Sequence, residues 1–319
     1  MNRRSFIKRG ALFVPTLFIP KLLRAQAYTF RDQPWMGNVR PLASFTLAWA
    51  ARVVANGGTY PTAGELLAAD AYYRGCVTDG IDSMILSDIL VVSSSLIGAT
   101  TPFFHSVGSD PWTNHSFVGG DLTINGLKGD GTSKYLDTGI ITSSASPMTA
   151  TNAGLAAYIH TLDTTGHGYS FGVGGVNDSS HFALYYASNI EGIYCWRFQN
   201  ANTDFVQDSD SAVGSFGYRG YSAGMRTAAS GSGALTLYRQ NSSITPIKSV
   251  ISGSSAQTGT TIATYPIVAF ALNSLGSISG WIDGRNSYLG VTQGMSAAQV
   301  QKHADRVQAL RVALGGGYL

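Results

Sequence analysis

The chain predicts a mainly β protein, an antiparallel sandwich or barrel, on three observations. Only 12% of residues are charged, about half the usual share, while glycine reaches 38 of 319 residues and serine and threonine are abundant. Apolar residues still make up 44%, with 16 Tyr, 14 Phe and 5 Trp, enough to build a core and too many for a disordered chain. From Phe117 onward, short apolar runs recur at regular intervals between Gly, Asn, Asp and Ser clusters, the rhythm of short strands and tight turns.

Residues 28–41 have no periodicity and read as an extended lead-in. Residues 42–116 read as a small helical subdomain. Phe45, Trp49, Val53 and Val54 fall on one helical stripe, which Asn56-Gly57-Gly58 stops. Thr62-x-x-Glu65 is a capping box for a second helix with apolar positions Leu66, Ala69, Tyr73 and Val77, ended by Gly80. Ile81 to Val92 reads as a further short helix and a strand. Residues 117–319 follow as the β domain. Its expected strands are 153–160, 169–173, 182–187, 192–198, 218–225, 234–239, 267–272, 277–282 and 287–291. No helices intervene, so βαβ folds are excluded. A final helix is capped by Ser296 with Gln299, carries Val300, Ala304, Val307 and Leu314, and stops at Gly315-Gly316-Gly317.

The first 27 residues read as an address. Arg3-Arg4 is followed by Phe6 and Lys8, then an apolar run from Gly10 to Pro20, then Ala25-Gln26-Ala27. This resembles a twin-arginine export signal with a small-x-small cleavage site at Ala25 and Ala27. The run is far short of the roughly twenty residues that span a bilayer, so no permanent membrane anchor is expected. Six of the chain's 21 Lys and Arg lie in this leader and none of its 18 acids does. The remainder is therefore slightly acidic, with no basic surplus to suggest a nucleic-acid partner. Cys76 and Cys195 read as two free, buried thiols, with one late bridge left open.

Segments 50–58, 126–139, 235–239, 288–292 and 295–314 together resemble bacterial and phage proteins that carry a LamG-like, concanavalin A-like jelly roll. The resemblance implies an antiparallel jelly-roll β-sandwich, preceded here by a small N-terminal helical segment and closed by a C-terminal helix. Such jelly rolls serve lectins, adhesion modules, glycoside hydrolases and virion proteins, so fold alone does not select a function.

Chemistry is sparse. Glycoside hydrolysis needs two carboxyls about 5–10 Å apart across the scissile bond. The chain has only two glutamates, Glu65 in the capping box and Glu191 alone, so no catalytic residue is assigned. His105, His115, His160, His167, His181 and His303 share no metal-ligand spacing. Gly276-Ser277-Ile278-Ser279-Gly280 matches a nucleophile elbow in letters only, because no helix follows. Asp130-Gly131 reads as a tight hairpin turn in preference to a calcium loop. No cofactor is required; calcium is left open, with Asp204, Asp208 and Asp210 as the densest acidic cluster. Tyr185, with Tyr194 and Trp196 on the next strand, and the loop residue Trp112 are the candidates for stacking a sugar ring. An aromatic row is also what a core strand presents.

The expected function is therefore an exported, non-catalytic surface protein whose jelly roll binds glycans or a protein partner, with homo-oligomerisation left open. A virion or other assembly protein of the same fold is the alternative, and a polysaccharide-acting enzyme the third reading.

Overall fold

The computed structural model describes residues 40–317 apart from 92, 144–146, 150, 163–166, 175–181, 188–191, 197–204, 209–218, 229–233, 242–243 and 252–263. The expected leader lies outside these residues, with Arg3, Arg4, Phe6, Lys8, Ala25 and Ala27. Asp204 and Asp210 lie outside them too. For residues 192–196 and 205–208 only the backbone is described.

Helices α1 (Ser44–Ala55) and α2 (Ala63–Asp79) open the body. The capping box is formed as expected: Thr62 accepts from the Glu65 N–H, and Glu65 Oε2 accepts from the Thr62 N–H at 2.6 Å. Glu65 also holds the Ser94 N–H and hydroxyl. Gly80 ends α2 with φ +68°, a left-handed conformation that glycine adopts without strain. The buried stripes differ from the expected ones. Val54 and Val77 are exposed, whereas Tyr72 and Cys76 are buried. The faces turn this way because polar groups on the helices find buried partners: Asp70 accepts from the Ala43 N–H and the Thr46 hydroxyl.

The strands are β1 (Ile85–Ile89), β2 (Thr113–His115), β3 (Leu122–Thr123), β4 (Gly126–Lys128), β5 (Tyr135–Ile141), β6 (Ala153–Leu162), β7 (His167–Gly174), β8 (Phe182–Ala187), β9 (Gly192–Trp196), β10 (Phe205–Asp208), β11 (Gly220–Arg226), β12 (Leu235–Asn241), β13 (Ile244–Ile251), β14 (Pro266–Ala269), β15 (Leu272–Ser274), β16 (Ser277–Ser279) and β17 (Gly284–Thr292). Helix α3 (Leu96–Thr100) follows β1, and α4 (Ala297–Ala313) closes the chain. The first sheet runs β13-β12-β11-β6-β17-β4-β3, with β1 also on β17. The second runs β10-β9-β8-β7-β14-β5-β2, with the β15–β16 hairpin attached through β7. The pairings are antiparallel except β15 with β7. The protein is a mainly β, antiparallel jelly-roll β-sandwich with added helices.

Two cores follow from strand alternation. In β6, Leu155, Ala157 and Ile159 point between the sheets and pack with Leu184, Phe171, Leu237 and Leu289. Ala156 and Tyr158 point the other way and pack with Trp49, Tyr72, Val300 and Leu310 of α1, α2 and α4. The central strands of the first sheet are therefore buried on both faces, helices on one side and the second sheet on the other. Because β6 is covered on both sides, its sequence reads as a continuous apolar run.

The expected boundary at residue 117 does not separate two bodies: residues 42–319 form one compact unit. The reason is pairing: β1 joins β17, β2 joins β5, and Leu86, Ile89, Ala99 and Trp112 sit in the inter-sheet core. Asp130-Gly131 is not a hairpin either. β4 belongs to the first sheet and β5 to the second, so residues 129–134 carry the chain between layers. Asp130 organises that crossing, accepting the N–H groups of Thr132, Ser133 and Lys134 at 2.8–3.0 Å and the Ser133 hydroxyl at 2.6 Å. No helix among the described residues is long and apolar enough to cross a membrane.

Candidate functional site

The helices cover one sheet and leave the outer face of the other to different neighbours. On β8, Phe182, Leu184 and Tyr186 point into the inter-sheet core, so by alternation Tyr185 points outward, where it is half-buried. Its Cα partner on β7 is Tyr169. The two rings lie 4.7 Å apart at 48°, a tilted aromatic pair. Tyr169 reaches this face because of a bulge: β7 spends two residues, Ser170 and Phe171, where β8 spends one. Ser170 turns inward to donate to Asn286 Oδ1 at 3.0 Å, and Tyr169 turns out. By backbone register, Tyr194 lies opposite Tyr185 and Gln207 opposite Tyr194. Trp196 lies opposite Ala183. One level across four strands is thus Tyr169, Tyr185, Tyr194 and Gln207.

The β15–β16 hairpin borders this row. Gly280 lies against Tyr169, where a Cβ would come within 2.7 Å of the ring, and the Tyr169 N–H donates to the Gly280 carbonyl at 3.1 Å. At the hairpin's tip Leu275 and Gly276 both have positive φ, +56° and +87°, the mark of a type I′ turn. Leu275 is 40% exposed in a conformation that suits Asn or Gly. The tip is tied down by Asn273, which accepts the Gly276 N–H at 2.8 Å and donates to the Pro266 carbonyl at 3.0 Å. Tyr265, 36% exposed, lies against Gly276.

Trp112 does not belong to such a surface. It is fully buried, packs edge-on against Phe171, and its indole N–H donates to the Ser87 hydroxyl at 3.1 Å. Its neighbours in sequence read as a loop, but the side chain lies in the inter-sheet core, bonded to Ser87 of β1. Cys76 is free and buried, and burial pushes its thiol well above the ordinary range.

Several of the described carboxylates are committed to the fold. Asp70 pairs with Arg74, Asp79 with Arg306, Asp110 with Arg52 and Asp121 with Lys134, at 2.5–2.8 Å. Burial works against ionisation of Asp130, but the Ser133 hydroxyl and three main-chain N–H groups outweigh it and hold the carboxyl well below the usual range. Among the described residues no group of three or more His, Cys, Asp or Glu is placed to hold a metal ion.

One constellation does bring acid, base and hydroxyls together. Asp88 Oδ2 accepts from Tyr72 at 2.8 Å and Tyr288 at 3.1 Å, and Oδ1 accepts from the Phe104 N–H at 2.7 Å. His303 Nε2 meets the Tyr288 hydroxyl at 2.9 Å, and Nδ1 meets the Tyr221 hydroxyl at 2.7 Å. Burial raises Asp88 to about 7, against the hydrogen bonds from Phe104, Tyr72 and Tyr288, and burial lowers His303 to about 3. All five side chains are sealed between the helices and the first sheet, so this cluster is not open to a substrate.

No family model matches the chain, and no curated protein matches it. Among solved structures it is similar to a carbohydrate-binding module, the CBM40 of a Ruminococcus gnavus IT-sialidase, at 14% identity and TM-score 0.34, covering 49% of this chain and 83% of that one. It is also similar to a botulinum neurotoxin type C structure, whose cell entry is described as dependent on two ganglioside molecules, at 12% identity and TM-score 0.43, covering 72% of this chain and 53% of the other. The binding domain of botulinum neurotoxin DC in complex with SialylT gives 14% identity and TM-score 0.41, covering 71% and 52%. The chain thus spans about half the length of these neurotoxin chains. Likeness at this level carries no ligand across to this protein.

Proposed function

We propose that the protein is a non-catalytic glycan-recognition protein that receives uncharged sugar rings on the outer face of its second sheet. The observation that carries this reading is the Tyr169–Tyr185 pair, two rings in contact, partly exposed, and held by a bulge on one side and a glycine on the other. A flat apolar ring with a polar rim suits the alternating C–H and O–H faces of a saccharide. Gly280, which abuts the Tyr169 ring, carries no charge, which suits a neutral ligand. The carboxylates described above are paired or sealed, which fits binding without turnover.

The protein acts outside the cytoplasm in this reading, delivered by its twin-arginine-type leader and cut after Ala27. A glycan array probed with residues 28–319 tests the binding. Retention of neutral oligosaccharides by the wild-type chain, lost in Tyr169→Ala and Tyr185→Ala, is the expected result. An array with no retained glycan removes the proposal. N-terminal sequencing of native material tests export: a mature chain beginning at Tyr28 is expected, and an intact Met1 favours the assembly-protein alternative.

A further inference from the structure

The buried Asp88 cluster joins every layer of the helical side. Asp88 comes from β1, Tyr72 and Cys76 from α2, Tyr221 from β11, Tyr288 from β17 and His303 from α4. We propose that Asp88 is a proton-operated latch between the helical layer and the first sheet: with a proton on its carboxyl the layer stays closed, and without one it opens more often.

The geometry supports this through charge. An ionised carboxylate buried without a counter-charge is disfavoured unless its hydrogen bonds repay the lost solvation, and at Asp88 burial outweighs the three donors it meets. The cations that face the cluster are committed elsewhere. Arg52 of α1 donates to Asp110 at 2.8 Å and to the carbonyls of Pro102 and Phe103, and Arg306 of α4 donates to Asp79 at 2.7 Å. Tyr72, Tyr221, Tyr288 and Cys76 are neutral, each pushed upward by burial. His303, pushed down by burial, supplies no positive charge either. An ionised Asp88 therefore leaves one uncompensated negative charge in the interface.

That charge also fixes the direction of the hydrogen bonds. With Asp88 ionised, Tyr72 and Tyr288 both give their protons to Oδ2. The Tyr288 oxygen must then accept from His303 Nε2–H, and Nδ1 accepts from Tyr221. A proton on Oδ2 removes the constraint, since Asp88 itself becomes a donor to a tyrosine oxygen.

The signs separate the two titrating groups. Asp88 binds its proton more tightly folded, near 7, than unfolded, near the ordinary 3.8, so its contribution is present below that ordinary value and is lost as pH rises toward 7. His303 binds its proton less tightly folded, near 3, than unfolded, near 6.5, so its contribution is lost as pH falls below 6.5. Each linked proton changes an opening constant about tenfold per pH unit. From about pH 4 to 6.5 the two slopes oppose each other in the wild-type protein.

Cys76, buried beside this cluster, reports opening through its reaction with 4,4′-dithiodipyridine in a Cys195→Ser background. The labelling rate of the Asp88 protein, divided by that of Asp88→Asn at the same pH, is expected to rise about tenfold per pH unit from 4.5 to 6.5 and level off above 7. A pH-independent ratio overturns the latch. The His303→Gln protein keeps Asp88 and removes the opposing slope, so its unfolding constant in urea should grow with pH across the same window. A flat or falling constant overturns the proposal independently of how Asp88→Asn folds. Direct titration of the Asp88 carboxyl by carbon NMR gives a third check, with a midpoint below 5 refuting it.

Discussion

Replacing Tyr185 by alanine is the most direct perturbation of the proposed face. A tyrosine offers about 150–200 Å² in all, and the partly buried ring leaves at most on the order of 50 Å² for a ligand to cover. At about 25 cal/mol per Å², covering that area is worth about 1.2 kcal/mol, roughly an eightfold change in Kd. A separate effect falls on the unbound protein. The contact with Tyr169, with ring centroids 4.7 Å apart, contributes about 0.5–1.5 kcal/mol to folding and disappears with either ring. It should appear as a lower urea midpoint and not as a weaker Kd. Because the rings touch, the effects of Tyr169→Ala and Tyr185→Ala on binding should fall short of additive in the double variant, by about 0.5 kcal/mol or more. Isothermal titration of the oligosaccharide best retained on the array measures the Kd values, and urea unfolding measures the stabilities. If both single variants bind within twofold of wild type, the tyrosine pair is not the binding platform and the proposed function falls with it.

Other outcomes follow from the same contacts. Trp112→Phe should lower stability by about 1–3 kcal/mol in urea, since the fully buried Ser87 loses its donor, while glycan binding stays unchanged. A loss of binding without loss of stability would return Trp112 to the surface. Leu275→Asn should raise stability by up to about 1 kcal/mol, because asparagine tolerates the φ of +56° that leucine resists; a destabilised variant would show that Leu275 has packing the turn depends on. Asp130 is held well below the ordinary carboxyl range, so its contribution is fully present above pH 4 and is lost as pH falls through the folded value. Asp130→Asn should therefore flatten the acid limb of the stability curve below pH 4, and an unchanged limb would refute that assignment.

Strand alternation and helix caps were readable because they are local. The expected strand 182–187 coincides with β8, and the Thr62–Glu65 and Ser296–Gln299 caps form as their spacing requires. What escaped the sequence depends on distant partners. Trp112 sits among turn formers, and only the meeting of β1 with β17 and β2 with β5 encloses it. Asp130-Gly131 has the letters of a hairpin, yet its flanking strands pair in different sheets, which no local pattern encodes. Tyr185 was a candidate from its sequence context, but Tyr169 was not. The bulge that turns it outward is set by Ser170 reaching Asn286, 116 residues away. The helical stripes shifted for a related reason: Tyr72 is buried because Asp88, Tyr288 and His303 wait for its hydroxyl.

The helical layer also bears on why the proposed binding face is placed on the second sheet. A jelly roll has two outer faces, and each must be covered or tolerate water. Here α1, α2 and α4 seal the first with Trp49, Val53, Leu66, Val300 and Leu310, so its tyrosines, Tyr158, Tyr221 and Tyr288, are spent inside as hydrogen-bonding core. The same residue type therefore has two fates in one sandwich. Under the helices a tyrosine hydroxyl meets Gln308, His303 or Asp88 and the ring is inaccessible. On the second sheet Tyr169 and Tyr185 meet each other and remain partly exposed. Stripping α4 away by truncation at residue 296 should then not create a second glycan face. It would expose Tyr221, Tyr288 and Asp88 together, and the expected outcome is a protein that unfolds or aggregates. A soluble truncated chain with undiminished urea stability would mean that the helical layer covers the sheet without supporting it.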